Sequence, residues 1–190
     1  MRIFTLIDDL KRRYENNNLT RKNGTILLGL GTIPNAEHML YKGLPYETIN
    51  DFLISEYNHK FPDQYAEFLQ YSNGADLFIK KLSKGKIQFA SVHLSVYGLP
   101  RTQPFGRPAD MEEPFDVRIE DLARHPRIPS NWLKCGRYKT EIGFGNEAYF
   151  YIDTKTEQVY ACRKDDCKII ESWANLDECL CDVFLRFHNA

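Results

Sequence analysis

The sequence predicts an α+β fold, with N-terminal helices, a central and mostly antiparallel twisted sheet of about five or six strands, and a C-terminal helix packed on it. Three observations carry this reading. Apolar residues recur at helical spacing near both ends of the chain and at strand-like spacing through its middle, and nothing between the extended stretches demands a βαβ crossover. The 190 residues suffice for one domain with its own core, and no repeat or second linker divides them, so 1–190 read as a single domain.

The elements follow in order. Ile3, Leu6, Ile7, Leu10 and Tyr14 make an amphipathic helix over residues 2–15, and the turn formers of "ENNNLTRKNG" break it. "TILLGLGTIP" reads as a short buried strand or an apolar loop. Its Gly29 and Gly31 suggest a dinucleotide loop, but Pro34 stands where the third glycine of G-x-G-x-x-G belongs. A second helix runs from Pro45 to about Tyr57 on a stripe of Tyr46, Ile49, Phe52 and Leu53. A third lies in "FPDQYAEFLQYSNGADLF". Pro62 suits its first turn, Asp63 complements the positive end of its dipole, Tyr65, Phe68 and Leu69 form its apolar face, and Asn73-Gly74 supplies a left-handed stop.

Beyond Gly74 the period changes. "DLFIKKL", "KIQFASV" and "HLSVYGL" are extended, with a turn at Lys84-Gly85. "PRTQPFGRPADMEEPFD" carries four prolines and is an irregular excursion, followed by a short helix near Ile119 to Arg124. "WLKCGRY", "EIGFGNEAYFYID" and "EQVYACR" return to strand, with a hairpin turn in "DTKTE" and a bulge or close approach at Gly143 and Gly145. Asn175 and Glu178 form a capping box for a last helix, whose buried face is Leu176, Leu180, Val183, Phe184 and Phe187.

Composition narrows function. A formal charge of −1 offers no general attraction for nucleic acid, and the basic cluster of Lys80, Lys81, Lys84 and Lys86 reads as a solvated hairpin tip. No apolar run reaches the length of a membrane span, and Asp8 and Asp9 interrupt the first apolar stretch, so a cytoplasmic location is expected. Five cysteines cannot all pair with one another. The C-x4-C and C-x-C spacings of Cys162, Cys167, Cys179 and Cys181 are not those of a zinc ribbon, so reduced thiols, no metal and no cofactor are expected. The histidines are scattered, and G-x-S-x-G, H-E-x-x-H and the phosphate-binding loop are all missing. A Cys–His pair such as Cys135 with His93 is left open, because spatial neighbours need not be neighbours in sequence.

The third-helix segment resembles the hallmark of the SUKH superfamily, the Smi/Knr-like family, in its bacterial immunity-protein branch. The matching residues are Phe61-Pro62, where leucine is usual before the proline, then Asp63, Tyr65, Phe68-Leu69 and Asn73-Gly74. "YFYIDTKTEQVYAC" is similar to the family's strand, Asp-containing turn and Val-Tyr strand, at Asp153 and Val159-Tyr160. The resemblance covers residues 45–187 and leaves 1–44 as an N-terminal elaboration. It implies a mainly structural motif on a non-catalytic, protein-binding domain. Its bacterial members neutralise toxins, often nucleases, by stoichiometric binding, and the toxin gene is expected beside the immunity gene. Its fungal members are scaffolds in cell-wall signalling, and that is the alternative. An unrecognised Cys/His enzyme or metal protein is the third reading.

The most acidic long stretch offers a contact surface. Asp110, Glu112, Glu113 and Asp116 lie between Pro108 and Pro114 or close to them, in a loop that prolines stiffen. Such a cluster reads either as a solvated loop or as an electrostatic contact for a basic toxin cleft.

Overall fold

The computed structural model describes residues 1–30, 37–57, 62–84, 87–99, 118–119, 127–139 and 147–189. Its elements run α1 (Arg2–Arg13), β1 (Asn18–Thr20), β2 (Ile26–Leu28), β3 (His38–Lys42), α2 (Tyr46–Tyr57), α3 (Asp63–Tyr71), β4 (Ser72–Lys84), β5 (Ile87–Val96), β6 (Arg118–Ile119), β7 (Trp132–Lys139), β8 (Glu147–Asp153), β9 (Val159–Arg163), β10 (Ile169–Trp173) and α4 (Leu176–His188). The α+β class holds. The expectation of five or six strands is too low, because ten strands among the described residues join one sheet in the order β1-β2-β3-β4-β5-β7-β8-β9-β10, with β6 also on β7. Every pairing is antiparallel.

The strands missed in sequence are the short ones. All three residues of β1 are exposed, and β10 buries only Trp173, so neither shows the alternation that marks a half-buried strand. Ile119, expected to open a helix to Arg124, instead pairs with Leu133 in β6, and residues 120–124 lie outside the described residues. So do Gly143 and Gly145.

One face of the sheet carries the main core. Ile3, Ile7 and Leu10 of α1, Tyr65, Phe68 and Leu69 of α3, and Leu176, Leu180, Val183, Phe184 and Phe187 of α4 are buried with Leu77, Leu94, Phe150, Val159 and Ala161 of the strands. From α2, Ile49 is buried and Phe52 packs beside the cluster. Tyr46 is 56% exposed, so the apolar stripe of α2 begins one turn later than its spacing suggests.

Helix ends are tied across elements. The side chain of Met1 makes no cap for α1, and the free N–H groups of Arg2 and Ile3 donate instead to the Asp177 carboxylate, both at 3.0 Å. The Asp177 N–H in turn donates to Gln64 Oε1 at 2.9 Å, which joins three helices at one point. Asn175 accepts from the Glu178 N–H at 3.0 Å, and Glu178 accepts from the Ala174 N–H at 2.9 Å, so the capping box reaches one residue further back than the usual form.

The end of α3 departs from the left-handed stop expected at Asn73-Gly74. The helix closes at Ser72 in extended backbone (φ −150°, ψ 122°) and passes straight into β4. The Asn73 side chain is fully buried and works as a length of strand, donating to the Leu99 carbonyl at 2.8 Å and accepting from the Leu99 N–H at 2.7 Å. Gly74 does take a positive φ, +90°, but inside the strand. The chain entering α2 crosses this point closely: a Cβ on Gly43 would stand 1.9 Å from the Gln70 carbonyl oxygen.

Candidate binding surface

The register of the sheet defines its second face. Leu19, Leu27, Met39, Asp76, Ser95, Arg137, Tyr149, Cys162 and Ile169 stand opposite one another in turn, a single row across nine strands. Their strand neighbours Leu28, Leu40, Ala75, Leu77, Leu94, Val96, Ala148, Phe150 and Ala161 belong to the helix-covered core. Alternation therefore puts the row on the face away from the helices. Both ends of the row, Leu19 and Ile169, are 49% exposed.

The middle of the row is polar and buried. Asp76 accepts from the Tyr41 hydroxyl at 2.8 Å and the Ser95 hydroxyl at 2.7 Å. Burial raises its pKa above the ordinary carboxylate value, and the two hydroxyls and the Arg137 charge offset this only in part.

Over β7, β8 and β9 the row broadens into a patch of aromatics and charges. Trp132 stacks on Tyr160 with centroids 4.2 Å apart and planes 7° from parallel. Both pack with Ile128, Tyr151 and Cys162, and with Tyr149 and Cys167 at the margin, in a small second core. The Lys134 ammonium sits 3.4 Å above the Tyr149 ring. At the next position Glu147 receives Lys139 and Lys164, each at 3.1 Å, and Arg137 at 3.5 Å. Burial works to raise the Glu147 pKa, but the three cations outweigh it and hold the carboxyl below its ordinary value.

The motif residues fall as follows. Pro62 is the buried N-cap of α3, and Asp63 opens the helix with its N–H donating to Glu157 Oε1 at 3.1 Å. Tyr65 donates its hydroxyl to the Tyr97 carbonyl at 2.8 Å, while Phe68 and Leu69 are fully buried. Asp153 organises the β8–β9 turn, accepting from Asn131 Nδ2 at 2.7 Å and the Lys155 N–H at 2.8 Å. Val159 is in the main core, and Tyr160 faces the other way, into the aromatic patch. Phe61 and the four acids Asp110, Glu112, Glu113 and Asp116 lie outside the described residues. Sequence reasoning missed the patch itself. Its signal was the outward set Trp132, Lys134, Tyr149, Tyr151 and Tyr160, legible only once β7, β8 and β9 are in register.

The groups suspected of chemistry are packed away. Cys135 is buried, its thiol facing the Phe150 carbonyl at 3.7 Å, and burial holds it protonated. Burial likewise pushes Cys162 up to about 12 and Cys181 up to about 11. His93 is fully buried and edge-on to Phe187, with neither ring nitrogen hydrogen-bonded among the described residues. Burial first, then the Lys80 and Lys139 charges, lower its pKa. All five cysteines are free, and among the described residues no group of three or more His, Cys, Asp or Glu is placed to hold a metal ion. No helix among them is long and apolar enough to cross a membrane.

The model of the SMI1 / KNR4 family (SUKH-1) matches residues 43–182, well over half of the chain. The match begins at the close crossing of Gly43 and leaves α1 and β1–β3 ahead of it. No curated protein and no solved structure matches the chain.

Proposed function

The chain belongs to the SMI1 / KNR4 family (SUKH-1), and from that membership we propose that it is a non-catalytic binding protein, an immunity protein that neutralises a cognate toxin by stoichiometric association. The family match is the observation that carries the reading. The disposition of reactive groups supports it, since Cys135 is a buried, protonated thiol and His93 is buried edge-on to Phe187. The sheet also brings Arg137, Tyr149 and Tyr160, each partly exposed, together on one face, and these residue types are suited to protein contacts.

A nuclease is the toxin class this reading favours. Its cleft must be basic to approach phosphates, and the carboxylates of Asp110, Glu112, Glu113 and Asp116 would complement it. Purifying the chain together with the toxin encoded beside its gene tests the reading. A one-to-one complex on size exclusion is expected, and two proteins eluting apart would refute it. The resemblance described above also implies an alternative, a scaffold protein of the cell-wall-signalling kind. That alternative predicts several host partners and no dedicated toxin, which a pull-down from the protein's own cells distinguishes.

A further inference from the structure

Asn-Gly occurs twice in the chain, at Asn23-Gly24 and Asn73-Gly74, and the fold holds the two pairs differently. The dipeptide has a chemistry of its own, because a glycine carries no side chain to block approach to its backbone nitrogen. That nitrogen attacks Cγ of the asparagine. A bond forms between them, the bond from Cγ to Nδ2 breaks, and the nitrogen's proton leaves with the amide as ammonia. Water then opens the resulting succinimide at either carbonyl, giving aspartate or isoaspartate.

At Asn73 the fold opposes every step. The side chain is fully buried, and its amide is held on both sides by Leu99, at 2.8 and 2.7 Å. Turning Cγ toward Gly74 breaks both bonds inside the core, and an aspartate there would bury a charge and lose the donor to the Leu99 carbonyl. Asn23 stands in the turn between β1 and β2. The Gly24 N–H donates to the Arg21 carbonyl at 2.8 Å, and the Arg21 N–H donates to the Thr25 carbonyl at 2.9 Å. Asn23 Oδ1 accepts from the Thr25 N–H at 2.9 Å, and both Asn23 and Gly24 are partly exposed to water. The turn leads from an edge strand whose three residues are all exposed, so opening it disturbs little of the core. An aspartate at 23 keeps an oxygen for the Thr25 N–H.

We propose that Asn23 is a site of spontaneous deamidation in the folded protein, and that burial protects Asn73. Aspartate at 23 leaves the turn intact. Isoaspartate inserts a methylene into the main chain between Arg21 and Thr25, breaks their closing bonds, and releases β1 from β2. The proposal is independent of the protein-binding reading above.

The full chain is incubated at mildly alkaline pH, folded in buffer and unfolded in urea, and both sites are followed by peptide mapping with mass detection. In the folded chain, conversion at Asn23 is expected to be at least about tenfold faster than at Asn73, and in urea the two sites should convert at similar rates. Equal conversion of both sites in the folded chain would overturn the proposal. So would an Asn23 that keeps its amide in buffer throughout the incubation that converts it in urea. In the isoaspartate fraction, separated by chromatography, the amides of β1 should exchange faster than in the unmodified chain, and unchanged exchange there would refute the release of β1.

Discussion

Asn73 shows how one side chain can replace a stretch of backbone. Its amide meets both backbone groups of Leu99, 26 residues away, with no water between. Asn73→Ala strands a buried donor and a buried acceptor, so urea unfolding should show a loss of about 2–4 kcal/mol. Read locally, Asn-Gly is a helix stop, because the partner that makes Asn73 a strand residue is invisible at that range. His38 is a second residue fixed by one proton. Its Nδ1 accepts from the Phe78 N–H at 3.2 Å, which only the neutral ring can do. Burial first, then the His188 and Arg13 charges, lower its pKa from 6.5 to about 4. The unfolded chain therefore takes up this proton first as the pH falls. The stability His38 contributes is complete above about pH 6.5 and is lost toward pH 4. Asp76, raised by burial, acts in the opposite sense and loses stability as the pH rises. Comparing His38→Gln with the wild type cancels Asp76. Between about pH 7 and pH 4 the wild type should lose about 2–3 kcal/mol more than the variant in chemical unfolding.

At the scale of elements, α3 and α4 were legible because a helix reports its buried face directly as spacing. Leu176, Leu180, Val183, Phe184 and Phe187 are all in the core, as is the face of Tyr65, Phe68 and Leu69. Phe68→Ala should cost about 3–5 kcal/mol in denaturant unfolding, because its site is enclosed by helices and sheet and cannot collapse fully. The caps were half legible. The Asn175 box is local and could be read, but the cap of α1 comes from Asp177, 174 residues beyond Ile3. Asp177→Ala should cost about 1–2 kcal/mol and speed amide exchange at Arg2 and Ile3 before other sites in α1. Short strands left no such trace. β1 and β10 lie at the sheet edges, where exposure erases alternation.

Across the whole molecule, the central hairpins of the sheet could be read from sequence, but its width could not. β1–β3 precede the family match, yet they pair in register onto β4 and carry the outer row out to Leu19. The aromatic patch was hidden for a related reason: Trp132, Tyr149 and Tyr160 lie on three strands, and only the register brings them together. The acidic cluster, in contrast, could be read directly because charge needs no fold to be counted. Replacing Asp110, Glu112, Glu113 and Asp116 by Asn and Gln should slow association with a basic toxin and flatten its salt dependence in stopped-flow measurements, leaving the melting temperature unchanged. The central claim, neutralisation by binding, is tested most directly by survival. Cells expressing the toxin encoded beside this gene are plated with and without this chain. The account predicts full protection at equal expression, and continued killing despite soluble, folded protein would contradict it.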